Sequence, residues 1–174
     1  MNLERIAIGD DAPEMVNIMV EIPLGSRNKY EYDPDLGVLV RDRVLPGNIR
    51  FPADYGFIPS TAAEDGDPLD TILAAYDPAF PGCLVRGRVI GALEMVEAGD
   101  VERNIFAVPD DDPRFANVRN LQDLPEQNLR ELEQFFTAFR RMEGDEEARV
   151  RGWLGAEEAR EEIRRSAIAD SDGS

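Results

Sequence analysis

The chain has 174 residues, 43% of them hydrophobic, which suits one folded domain with a real core and is too apolar for a disordered chain. Acidic residues number 36 against 19 basic ones, a formal net charge of −17. That balance argues against a nucleic-acid partner, because phosphate backbones are held by basic footprints, and against docking on an anionic membrane.

No apolar run approaches the roughly 20 residues needed to span a bilayer. The opening stretch MNLERIAIGDDAPE lacks a basic segment followed by an apolar one, so no signal peptide is expected and the chain reads as cytoplasmic. Cys83 is the single cysteine, which excludes an intrachain disulfide. Within the apolar run GCLV it is expected to be a small buried thiol. Lys29 is the only lysine; the other basic residues are arginines. An acidic, lysine-poor composition fits either a high-salt interior or biased codon usage.

In chain order, residues 1–14 are expected to form an irregular arm of a single domain spanning 1–174. From Val16 to Pro109 the segments VNIMVEI, KYEYD, GVLVRDRV, FPADYGFI, TILAAY, CLVRGRVIGALEMV and NIFAVP read as strands, rich in Val, Ile, Tyr and Phe and punctuated by Gly, Pro, Asp and Asn. Short strands in succession without intervening helices predict a small barrel or sandwich. After Pro113 the period changes. Asp123 is expected to cap a helix with Pro125 in its first turn, and Leu129, Leu132, Phe135, Phe136 and Phe139 recur at helical spacing as core contacts. A second helix is expected over about Ala156–Ile168, followed by a frayed tail at 170–174.

The sharpest chemical signal is Asp65-Gly66-Asp67-Pro68-Leu69-Asp70. Like charges about 4 Å apart repel by roughly 1 kcal/mol in water and several times that in a less polar setting. Such a cluster is tolerable when splayed into solvent or neutralised by cations, and hard oxygen donors suit magnesium, calcium or manganese. It is not an EF-hand loop, because the positions that need glycine and glutamate hold Asp70 and Tyr76.

The second signal runs from Glu21 through Pro23 to Lys29-Tyr30-Glu31, where strand alternation puts Lys29 and Glu31 on one face. A lone lysine among arginines suggests a specific need for a compact ammonium. The third is Arg41-Asp42-Arg43, with the two arginines expected to share a face. The fourth is the run Arg50 to Pro59.

Together, EIP…KYE, RDR, FPADYGFI and DGDPLD resemble the family I soluble inorganic pyrophosphatases of the prokaryotic type, and the resemblance covers roughly residues 13 to 165, including FPGCLV, AVP, DLPE and GW. It implies a mainly β fold, a five-stranded closed barrel of the oligonucleotide-binding (OB) type flanked by two C-terminal α-helices. It implies an enzyme that hydrolyses pyrophosphate with several Mg2+ ions per site, Mn2+ or Zn2+ being candidate substitutes, and a hexameric assembly. Asp65 and Asp70 match metal ligands flanking the attacking water, and Asp67 matches its general base. Glu21 and Glu31 match residues holding outer metals or waters. Lys29, Arg43 and Tyr55 match the residues that grip the phosphates.

Some positions depart from the family pattern. Phe51 stands where a tyrosine is usual. Glu97 and Glu102 replace two metal-binding aspartates, and Asn104 replaces a lysine. Arg103 is adjacent to Asn104 but should face the other way on a strand. Phe139-Arg140 replaces a tyrosine-lysine pair that contacts substrate, losing a hydroxyl and keeping the charge. These changes touch the third-metal and leaving-phosphate sides, while the water-activating carboxylates are intact. The alternatives are a weakened homologue, or one shifted to another phosphoanhydride. More remote is a binding module on the same barrel, which would need a basic groove and stacking aromatics.

Overall fold

The computed structural model describes Leu3 and residues 6–168. Residues 1, 2, 4 and 5 of the expected arm, and the expected tail at 170–174, lie outside the described residues. The strands are β1 (Met15–Ile22), β2 (Asn28–Asp33), β3 (Val38–Val44), β4 (Asp54–Ile58), β5 (Leu69–Leu73), β6 (Leu84–Glu97), β7 (Asp100–Pro109) and β8 (Arg149–Gly155). The helices are α1 (Glu126–Met142) and α2 (Ala156–Ser166).

Five strands close on themselves in the order β1-β4-β5-β7-β6, because β6 also pairs with β1. Only β5 and β7 run parallel; the other pairings are antiparallel. Of the barrel or sandwich that the strand pattern predicts, this is the closed barrel that the family resemblance implies, and two helices follow it. The β2–β3 hairpin is a separate two-stranded sheet inserted between β1 and β4. The barrel strands carry the fully buried Ile18, Ile72, Ile90, Leu93 and Ile105.

Helix α1 presents Leu132, Phe135, Phe136 and Phe139 to the barrel, the stripe read from the sequence. Phe51 joins them, 4.8 Å from Phe135 and 5.4 Å from Phe139 between ring centroids. Burying those four helix side chains contributes roughly 1.5–3 kcal/mol each. Helix α2 sends Ala159 and Ile163 into a second cluster with Val16, Ile18 and Val20.

Several sequence expectations need correction. Asp123 does not cap α1. Its Oδ2 accepts from the amides of Arg119 and Asn120, closing the short turn before the helix, and Pro125 is the N-cap. The strand expected from Phe51 starts at Asp54, since Phe51 is tied by backbone hydrogen bonds to Gly25 and Ser26 instead of to the sheet. The sequence reading missed β8, whose alternation is broken by a register slip opposite Glu94/Met95 and by Gly152 at φ 152. Cys83 is only partly buried, lying in the turn that enters β6.

Two further slips aim side chains. The β1–β4 ladder pairs Val20 with Gly56 and Ile22 with Tyr55, leaving Glu21 as the extra residue of a bulge. Gly56 is obligatory opposite it, since a Cβ there would lie 1.8 Å from the Met19 carbonyl oxygen. In the hairpin, Lys29 pairs with Arg43 and Tyr30 with Arg41, so Asp42 is the extra residue. Facing residues share a side, so Arg43 goes with Lys29 and Arg41 with Tyr30. The expected common face for the two arginines is therefore lost at the bulge.

Candidate active site

The two bulges, the β4–β5 loop and the end of α1 surround one cleft of about 810 Å³. Eight of the residues expected from the sequence line it: Glu21, Lys29, Glu31, Tyr55, Asp67, Asp70, Phe139 and Arg140. The other four adjoin it. Arg43 reaches the group through Glu143 and Asp42, and Glu97 through Arg140. Asp65 accepts from the Asp67 amide at 2.9 Å. Glu102 feels the charges of Asp65 and Asp70.

The loop carrying the aspartates is built locally. Gly66 sits at φ 90, its amide bonded to the Ala63 carbonyl, and the Ala63 amide bonds to the Asp67 carbonyl. Thr61 Oγ1 donates to the Ile58 carbonyl and accepts from the Leu69 amide, which fixes the start of β5 and hence Asp70. Asp67 is exposed, whereas Asp70 is half-buried.

Burial and neighbouring acids push four carboxyls of this region up. Glu21, 8% exposed, is raised to about 7, chiefly by burial, against a bond accepted from the Tyr32 amide at 2.8 Å. Burial likewise raises Asp70, Glu97 and Glu102, and neighbouring acids add to each. The Tyr55 phenol is pushed well above its ordinary value by burial and then by Asp70. Its hydroxyl donates to Asn104 Oδ1 at 2.9 Å, so the asparagine standing where the family pattern has a lysine anchors the tyrosine.

The cations are crowded by acids. Lys29 Nζ lies 3.3 Å from Glu31, 3.6 Å from Asp42 and 3.3 Å from Glu143. The contact with Glu31 confirms their common face. Arg140 Nε is 2.9 Å from Glu97 Oε1, but the two are misaligned, and both atoms are buried without a hydrogen-bond partner. Arg103 turns away to Glu94 and Glu162, as its strand position predicts. Phe139 both packs in the core, stacked on Phe135 at 5.6 Å, and faces the cleft, with Lys29 Nζ 5.9 Å from its ring.

Among the described residues, no three acidic side chains already converge on a single metal position. The donor set nonetheless suits a hard cation. It is all carboxylate oxygen, Asp70, Glu97 and Glu102 are raised by burial and further by neighbouring acids, and Glu97 Oε1 is buried without an aligned hydrogen-bond donor.

The family model for inorganic pyrophosphatase matches residues 18–169. The chain belongs to the inorganic pyrophosphatase family. An inorganic pyrophosphatase from Nostoc sp. is 42% identical over 160 residues, which is 92% of this chain and 94% of the relative. One from Halobacterium salinarum is 40% identical over 160 residues, 92% of this chain and 90% of the relative. The crystal structure of inorganic pyrophosphatase from Thermus thermophilus matches with a TM-score of 0.92 at 42% identity, covering 99% of this chain and all of that one. Sequence reasoning missed Glu143, Asp42 and the Asn104–Tyr55 bond. The first two were signalled only by carboxylates beside cations already singled out, Asp42 inside RDR and Glu143 three residues after Arg140.

Proposed function

We propose that this cleft carries out the family's reaction, hydrolysis of inorganic pyrophosphate to two orthophosphates, with Asp67 as general base. The observation that carries the reading is the meeting of Asp67 and Asp70 with Lys29 and Arg140 in one cleft. Pyrophosphate is a polyanion, so attack by an oxygen nucleophile is electrostatically opposed. Magnesium ions bound by Asp65, Asp70, Glu97 and Glu102, with Glu21 and Glu31 farther out, would screen that charge and lower the pKa of bound water; manganese or zinc are candidate substitutes.

Asp67, exposed to the cleft, takes the proton from the attacking water. A new P–O bond forms as the bridging P–O bond breaks. Lys29, Arg43 and Arg140 accept the charge that gathers on the phosphate oxygens, and Tyr55 is held beside Asp70 to orient the substrate. Phe139 supplies an apolar wall that limits water.

We further infer a cytoplasmic homo-oligomer, hexameric by resemblance. Phe80, 68% exposed, and the exposed Tyr76 and Leu84 support an assembly surface. No described helix is long and apolar enough to cross a membrane. The test of the activity is phosphate release from pyrophosphate. It should proceed with magnesium and stop with excess chelator. No release with magnesium, manganese or zinc, at low and at high salt, rejects the proposal.

A further inference from the structure

Lys29, Arg43 and Arg140 come from β2, β3 and α1, yet all three meet at one carboxylate. Glu143, the C-cap residue just after α1, places Oε1 3.3 Å from Lys29 Nζ and 3.3 Å from Arg43 Nη1. Its Oε2 lies 3.0 Å from Arg140 Nη1. The side chain is 16% exposed. Its own helix gives it no support, because a helix C-terminus carries partial negative charge and disfavours an acid. The three cations hold it there. Asp42 reaches Lys29 and Arg43, Glu31 reaches Lys29, and Glu97 reaches Arg140; among the described residues Glu143 alone touches all three.

A carboxylate that offers two oxygens to converging N–H donors has the charge and shape of one edge of a phosphate group. Resting on the reading of these cations as the phosphate grip, we propose that Glu143 is a resident counter-ion that competes with phosphate and sets the affinity of the site. When phosphate binds, the Glu143 side chain gives up its contacts by rotating about its own bonds. The backbone stays in place, its amide bonded to the Phe139 and Arg140 carbonyls. When phosphate leaves, Glu143 returns and neutralises the cations. A site built this way binds its anion less tightly and releases product faster than one whose cations stand bare.

The sign of one change separates this role from a scaffolding one. If Glu143 only held the cations in place, its loss would loosen the grip and weaken phosphate binding. If it competes, its loss strengthens binding, because one like charge is removed from beside the incoming anion. Calorimetric titration of inorganic phosphate, with and without magnesium, into wild type and Glu143→Gln is the experiment. We expect the variant's Kd to fall at least about tenfold, the scale of a relieved like-charge contact. Phosphate inhibition of hydrolysis should shift in step, and KM should fall with no gain in kcat. Glu146→Gln, an exposed acid on the same loop, removes the same overall charge and should leave Kd unchanged. Should Glu143→Gln melt below the assay temperature, Glu143→Asp, which keeps the charge but shortens the reach, should show a smaller gain of the same sign. Unchanged or weaker phosphate binding in a folded variant overturns the proposal, while wild-type hydrolysis measured alongside leaves the activity standing. Wild type that neither hydrolyses pyrophosphate nor binds phosphate overturns both.

Discussion

Asp54 opens β4 beside the cleft but has a different task from the aspartates of the β4–β5 loop. It is 2% exposed. Its Oδ1 accepts from the Leu24 amide at 2.7 Å and its Oδ2 from the Ala79 amide at 3.0 Å. It therefore ties the loop after β1 to the loop before β6. Asp54→Ala leaves two partly buried amides without acceptors, at about 1–3 kcal/mol for each orphaned donor. Removing the acid also recovers part of its desolvation cost, which is the leading reason its pKa is raised. A net loss of about 2–4 kcal/mol remains. At roughly 2–4 °C per kcal/mol for a chain of this size, the melting temperature should fall by roughly 4–16 °C. Thermal melts by circular dichroism, paired with phosphate release at 25 °C, give both readouts. Turnover per folded molecule should be near wild type. A melt within about 2 °C of wild type contradicts the two-amide account, and a large loss of turnover without a loss of stability would move Asp54 into the catalytic set.

Asp67→Asn should lower turnover by at least about 100-fold, the scale of a general base, with little change in melting because Asp67 is exposed; equal turnover losses in Asp67→Asn and folded Asp54→Asn would remove the assignment. Glu21 is raised to about 7 from 4.5, so its contribution is fully present below about pH 4.5 and is lost as pH rises through about 7. Chelated protein should thus melt lower at pH 7.5 than at pH 5 by an amount worth up to about 3 kcal/mol, and Glu21→Gln should flatten that slope; an unchanged slope in the variant refutes the attribution. Phe139→Tyr should raise kcat/KM, since hydrogen bonds to charged groups are worth roughly 1.5–3 kcal/mol and the ring faces both the cleft and Lys29; lower stability with unchanged activity would place the added hydroxyl in the core.

The barrel and both helices were legible because each strand is bounded by turn residues and α1 carries an uninterrupted apolar stripe. The bulges were not. A register slip adds one residue whose effect on direction is decided by the partner strand, and so Arg41 was assigned to the wrong face and β8 escaped notice. That eight of the expected residues line one cleft was legible because they sit in short runs that resemble the family's motifs. What joins those runs was not. Lys29 and Glu143 lie 114 residues apart, and no local pattern announces that an acid at the end of the last turn of α1 will meet the hairpin's cations. Phe139 shows the same limit in another form. Its spacing marks it as core and the family pattern marks it as site, and only the packing shows that one ring face can serve each.

Strand β6 exchanges hydrogen bonds with three neighbours. Along one edge it pairs with β1 through Leu84–Arg88 and then with β8 through Gly91–Val96, while β7 runs along its other edge. Closing the ring means bringing Met15 to Arg88, with β2 to β5 contained in the intervening loop. The entropy of that closure falls on a single ladder, so the barrel cannot shut until most of its wall exists. During synthesis β1 must therefore wait, its outer edge unpaired, until Arg88 has left the ribosome. In the finished molecule the Leu84–Arg88 ladder is the clasp of the ring, so amide protons bonded across it exchange only when β1 and β6 part and the barrel opens.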